Sequence, residues 1–144
     1  MFEKILVPLD GSQHSVYALE KAIQIAKKFG GKLTLLHAYT THVVSLPKEY
    51  VITETVPEKV EVSSEVGANI LAGGKAKAET EGIQVETQLT MGQAVESIIE
   101  ASRNGKFDLI VIGARGLGPI KEVLMGSVSH GVTTHAGCPV LVVK

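Results

Sequence analysis

Three stretches of the chain carry residue types able to do chemistry: Gly113 to Ser129, Pro8 to Ser12, and the His37-Ala38 region. From Gly113 to Ser129 it reads Gly-Ala-Arg-Gly-Leu-Gly-Pro-Ile-Lys-Glu-Val-Leu-Met-Gly-Ser-Val-Ser. This segment follows the apolar run Leu109-Ile110-Val111-Ile112 and ends in Gly126-Ser127, where a helix can begin. Glycines let the backbone approach an anion closely, and the first unpaired N–H groups of a helix point at it. The spacing therefore suits phosphate binding. The common fingerprints do not fit it. Gly113-x4-Gly118 is followed by Pro119-Ile120 instead of Lys-Ser/Thr, and Gly116-Leu117-Gly118 has Lys121 where a dinucleotide site needs its third glycine. Arg115 and Lys121 are the cations of the segment, placed either to neutralise a polyphosphate or to stand as solvated loop charges.

The second stretch is Pro8-Leu9-Asp10-Gly11-Ser12, a turn and helix-start signal after a short apolar run. Asp10 is placed either to cap the first helix or to hold a ribose hydroxyl or a Mg²⁺ ion. The other polar residues have plainer readings. His37 ends a buried strand and reads as a hydrogen-bonded structural histidine. His130 and His135 are five apart on a helix, not the four that would align two metal ligands. His14 and His42 read as surface residues. Cys138, before Pro139, reads as a small buried apolar group with nothing nearby to lower its pKa.

These residues must be positioned by the elements around them. Ile5-Leu6-Val7-Pro8-Leu9 is a strand. Val16, Leu19, Ala22, Ile23 and Ala26 then recur at helical spacing up to Gly30-Gly31, and Leu33 to Ala38 is a second strand. Strand, helix and strand over so short a span make a βαβ unit. From Tyr39 to Pro57 periodicity fails, and the segment 41–57 reads as a long excursion covering the ligand-facing edge. A helix is expected from Glu58 to Glu81, with Val62, Val66, Ile70, Gly74 and Ala78 on one row, weakened by Gly73-Gly74. Ile83 to Leu89 alternates as an edge strand with one wet face. A helix with Val95, Ile98 and Ile99 follows, then a fourth strand after Asp108, a helix from Ser127 to Ala136 and a fifth strand, Pro139 to Val143. Alternating strands and helices predict a single α/β domain with a mainly parallel sheet.

Bulk properties narrow the function classes. The chain has 144 residues, 44% hydrophobic and 20% charged, with a formal net charge of -1. That length suits one domain with a sizeable core. The charge balance leaves no basic footprint for nucleic acid. The single cysteine excludes an intrachain disulfide and a cysteine-built zinc site, and suits a reducing compartment. With no signal-peptide pattern and no apolar run of membrane-spanning length, the expectation is a cytoplasmic protein that does not insert into membranes.

One spacing does fit the glycine segment. Gly113-x2-Gly116-x9-Gly126-Ser127 resembles the ATP-binding motif of the universal stress protein family, G-x2-G-x9-G-S/T. Ile5 to Ser12, Leu36-His37-Ala38 and Cys138 to Val143 resemble that family's first, second and last strands, so the similarity spans nearly the whole chain. It implies a Rossmann-like five-stranded parallel sheet of order 3-2-1-4-5 with helices on both faces. It also implies a homodimer through the strand 139–143. By the same resemblance, Pro8, Leu9 and Asp10 flank an adenosine, and the backbone of Ala38 reads the adenine edge. Gly113 and Gly116 pass beneath ribose and phosphates, with Arg115 between them as a candidate neutralising charge, and Gly126, Ser127, Val128 and Ser129 receive the phosphates.

The expected ligand is ATP, or ADP or AMP, with or without Mg²⁺ on Asp10. No general base stands out, so a regulatory binding module acting as a dimeric switch, with a further protein partner, is the leading reading. A slow Mg-dependent ATPase on the same site is the alternative. A purely structural or partner-binding role fits less well, since the glycine spacing is intact.

Overall fold

The computed structural model describes residues 1–40, 62–117 and 125–144. The excursion at 41–57 and Lys121 lie outside the described residues. The elements are β1 (Lys4–Pro8), α1 (Gln13–Phe29), β2 (Lys32–Tyr39), α2 (Val62–Thr80), β3 (Val85–Met91), α3 (Ala94–Asn104), β4 (Leu109–Gly113), α4 (Ser127–His135) and β5 (Val140–Val143).

The apolar runs of β1, β2 and β4 dictate a sheet covered on both faces. Successive side chains point to opposite sides of a strand, so a strand buried on both sides must be apolar at every position. Ile5, Val7, Leu33, Leu35, Leu109 and Val111 face α1 and α2. Leu6, Leu36, Ile110 and Ile112 face α3 and α4. All pairings are parallel, in the order β3-β2-β1-β4-β5. This is the single-domain α/β fold and the strand order expected from the sequence.

Helix α1 starts and stops where its residues require. The Ser12 hydroxyl accepts from the Ser15 N–H at 3.2 Å as N-cap. Gly30 takes a left-handed φ of 72° and donates to the Ala26 carbonyl. Helix α2 departs from expectation in its buried row. Val66 is 52% exposed, and the inward residues are Gly67, Leu71, Gly74 and Ala78. The cause is close approach to the sheet. A methyl group on Gly67 would lie 2.4 Å from Cδ2 of His37, and one on Gly74 would lie 2.8 Å from Cδ1 of Leu9. The glycines that weaken the helical pattern are therefore what lets this helix lie down.

The two sheet edges differ. On β3 only Val85 is buried, and Glu86 to Leu89 are exposed on both faces, so the expected single dry face is limited to the strand's start. On β5 every residue is apolar and none is fully buried. No helix of the described residues is long and apolar enough to cross a membrane.

Candidate functional site

In a parallel sheet the strands' carboxyl ends share one edge, and a crevice opens where neighbouring connections leave in opposite directions. Here that point lies between β1 and β4, since the chain runs from β1 to β2 on one side and later returns to β4 on the other. A cavity of about 1020 Å³ sits there. Pro8, Leu9 and Asp10 line it from the β1 end, and Leu36, His37 and Ala38 from the β2 end. Gly113, Arg115 and Gly116 follow β4, while Gly126, Ser127, Val128 and Ser129 open α4. Eleven ligand positions named from the sequence, Ala38 among them, thus line one cavity. Ile98 of α3 and Ile112 of β4 add apolar wall.

Asp10 has a defined local task. Its Oδ1 accepts from the Ser12 N–H at 2.9 Å and from the Ser12 hydroxyl. Ser12, not Asp10, is the N-cap of α1; the carboxylate orients the cap from two residues upstream. Its other oxygen is turned to the glycine segment, because a methyl group on Gly116 would lie 2.4 Å from Oδ2. A side chain at 116 would push that carboxylate out of its place beside Ser12. Gly113 is equally confined, since a methyl there would lie 2.7 Å from the backbone carbon of His14.

The start of α4 is built to leave donors open. Gly126 is its N-cap, with extended backbone and no side chain to accept from the first turn. Gly126 itself donates to the Ala114 carbonyl at 2.6 Å, which fastens the start of α4 to the end of β4. Ser129, 2% exposed, donates its hydroxyl to the same carbonyl at 2.7 Å. Its hydroxyl is thus committed to the frame, whereas Ser127 is exposed at the cavity. An anion here would meet N–H groups, the Ser127 hydroxyl and the positive end of a nine-residue helix.

The histidines divide. Nδ1 of His37 donates to the Leu9 carbonyl at 2.7 Å, the structural role expected of it. His14 does not stand apart on the surface as expected. It is half-buried, and its Nδ1 accepts from the Arg115 N–H at 3.2 Å. The sequence does hold a signal for this: His14 lies two residues after the N-cap, on the first turn of the helix that opens at the site. His130 lines the cavity mouth. The Cys138 thiol is pushed up from its usual pKa, chiefly by burial and then by the Asp108 carboxylate, which makes it a poor nucleophile. Among the described residues, no group of three His, Cys, Asp or Glu comes together as a metal site. Asp10 is the carboxylate at the cavity.

Comparison with known proteins gives a consistent picture. The sequence profile of the Universal stress protein family matches residues 1–144. The chain is 38% identical to universal stress protein YxiE of Bacillus subtilis, over the full length of both chains. It is 26% identical to the solved structure of universal stress protein UspA from Lactobacillus plantarum, with TM-score 0.73, covering 99% of this chain and 98% of that one. A universal stress protein solved in complex with cAMP is 26% identical, with TM-score 0.72, covering 99% and 97%. With a full-length profile match, a full-length relative at this identity and the same fold, the chain belongs to the universal stress protein family.

Proposed function

We propose that the cavity binds an adenine nucleotide, ATP or its di- or monophosphate, and that the protein is a regulatory binding module whose dimer contacts or partner affinity respond to that ligand. The observation carrying this reading is the split cradle. Gly113 brings bare backbone against the first turn of α1 and Gly116 against Asp10 of the loop after β1, while Gly126 leaves the first turn of α4 without a side-chain acceptor. Phosphates would lie at Gly126, Ser127, Val128 and Ser129, with Ser127 offering the one hydroxyl not already held by the frame. The base would lie between Pro8, Leu9 and Ala38, within reach of the apolar wall. The cAMP complex of a 26% identical relative supports an adenine nucleotide in this crevice. Arg115 is placed to add charge near the phosphates.

Calorimetric titration with ATP, with and without Mg²⁺, tests the reading. Micromolar to millimolar binding by the wild type, lost in Gly126→Val, is the expected result. No heat at millimolar ATP would overturn it. The Mg-dependent ATPase alternative is favoured by one feature, the Asp10 Oδ2 turned toward Gly116 inside the cavity. Single-turnover hydrolysis that disappears in Asp10→Ala would establish it.

The same reading includes a homodimer through β5. That strand is a sheet edge, all apolar, with Leu141 37% exposed, and a second copy would cover it. A Leu141→Lys variant that remains dimeric by sedimentation would remove that interface. A cytoplasmic setting completes the proposal, resting on Cys138 as a free thiol.

A further inference from the structure

We infer that His14 is a positioning residue for the cavity: its neutral imidazole, with the proton on Nε2, latches the glycine segment after β4 to the first turn of α1. The inference rests on the nucleotide-site reading above and adds the residue that sets the cradle's shape.

The two walls of the cavity are separate loops, one after β1 and one after β4. What joins them is a short series of contacts. The missing side chain of Gly113 lets β4 end directly on the His14 backbone. One residue past Ala114, the Arg115 N–H donates to His14 Nδ1 at 3.2 Å. The Arg115 carbonyl lies 3.4 Å from the Ser12 hydroxyl. Gly116 then closes against Oδ2 of Asp10. The Arg115 peptide is thus held at its N–H by His14, between the two glycines of the cradle, while its carbonyl stands beside a Ser12 hydroxyl whose proton goes to Asp10.

Of these contacts the one at His14 is the directional side-chain acceptor for a backbone N–H. A donor N–H can be accepted only by an imidazole nitrogen without a proton, so Nδ1 must be bare and Nε2 must carry the hydrogen. The ring is also oriented from its own helix, by Tyr17 one turn on, at a centroid distance of 6.2 Å and a tilt of 38°. Without the acceptor, the Arg115 N–H loses this bond, and the segment between Gly113 and Gly116 loses the side-chain tether that ties it to α1, keeping the Ser129 brace on Ala114 that ties it to α4. A cradle made of glycine has little intrinsic preference for one shape, so a ligand would have to order it at binding.

Substitution can separate this role from simple packing. In His14→Asn, Oδ1 stands near the position of Nδ1 and can accept the same hydrogen bond. In His14→Leu, bulk is kept and the acceptor is lost. Three measurements on the full chain decide the matter. Two-bond ¹H–¹⁵N spectra of the nucleotide-free protein should show the His14 Nε2–H tautomer with Nδ1 unprotonated. The Arg115 amide should exchange about tenfold faster in His14→Leu and within about threefold of wild type in His14→Asn. ATP affinity should fall about tenfold in His14→Leu and recover to within about threefold in His14→Asn. Unchanged melting temperatures in both variants would show that the effect is local.

An Nδ1–H tautomer, or equal Arg115 exchange in all three proteins, overturns the latch. If Gly126→Val abolishes ATP binding while His14→Leu binds as wild type does, the site stands and the positioning role falls. If the wild type itself takes up no ATP, the nucleotide reading and the role toward it fall together, and the exchange rates still decide whether the latch exists.

Discussion

Two sets of glycines in this molecule look alike in the sequence and serve opposite ends. Gly67 and Gly74 on α2 face the tips of side chains, those of His37, Leu89, Leu9 and Leu35. Gly113 faces the backbone of His14, and Gly116 faces the Asp10 carboxylate in the cavity. In the first set the missing methyl lets a helix lie flat on a sheet. In the second it lets one loop meet another without filling the space between. Side-chain tips can give way by rotating, whereas backbone cannot. The same omission is therefore negotiable where a side-chain tip stands opposite, as at Gly74 and Gly116, and strict at Gly113, where backbone does.

The largest effect should come from Gly113→Ala. The added methyl would lie 2.7 Å and 2.8 Å from the backbone carbon and oxygen of His14, which α1 holds rigid. A loss of about 3 kcal/mol in urea unfolding is expected, at the upper end of overpacking. Gly74→Ala should cost less. Its methyl would meet Leu9 Cδ1 at 2.8 Å and Leu35 Cδ1 at 3.0 Å, both side-chain ends. Overpacking of about 1–3 kcal/mol is offset by about 1 kcal/mol of helix propensity, leaving a net loss of about 1 kcal/mol. If the two alanines cost the same, the distinction between backbone and side-chain neighbours fails.

Gly73→Ala sharpens the contrast, because nothing lies within 4 Å of the added methyl. It should stabilise the protein by about 0.5–1 kcal/mol, read as a higher melting temperature. A destabilised variant would mean that the outer side of α2 is not open.

The smallest effect belongs to the clamp that holds α2 beside α1. Lys77 pairs with Glu20 at 2.7 Å, and Lys27 pairs with Glu81, all four side chains being more than 40% exposed. The Lys27 ammonium, by hydrogen bond and charge, holds the Glu81 carboxyl below its ordinary value. A carboxylate lowered on folding stabilises above its unfolded pKa, and that contribution is lost as pH falls through the folded one. Exposure keeps it small. Glu81→Gln should be slightly less stable than wild type in urea at pH 7, and the difference should shrink as pH falls below the ordinary glutamate range.

The sequence carried most of the fold because its signals are local and redundant. β1 and β4 are apolar at nearly every position, which a doubly covered strand explains, and β2 is apolar at Leu33, Leu35 and Leu36 in its middle. Ser12 and Gly30 bracket α1 as an N-cap and a left-handed C-cap. The candidate site was legible for a different reason. The spacing Gly113-x2-Gly116-x9-Gly126-Ser127 places backbone groups, and backbone needs no rotamer to be located. Where reading failed, the answer depended on a partner far along the chain. Val66 fits the helical row as well as Gly67 does, and only the height of His37 and Leu89 beneath α2 selects the glycine.

The sequence by itself thus determined the order of strands and helices along the chain, the glycine that ends α1 and the cradle's glycines, all properties of neighbours within a few residues. The tertiary structure alone decided what the polar side chains do. Asp10 became the support of a cap, Ser129 a brace on the Ala114 carbonyl, and His14 the acceptor for Arg115, 101 residues away. A hydrogen bond is fixed by distance and angle in space, and no spacing along one chain encodes which distant N–H will arrive there.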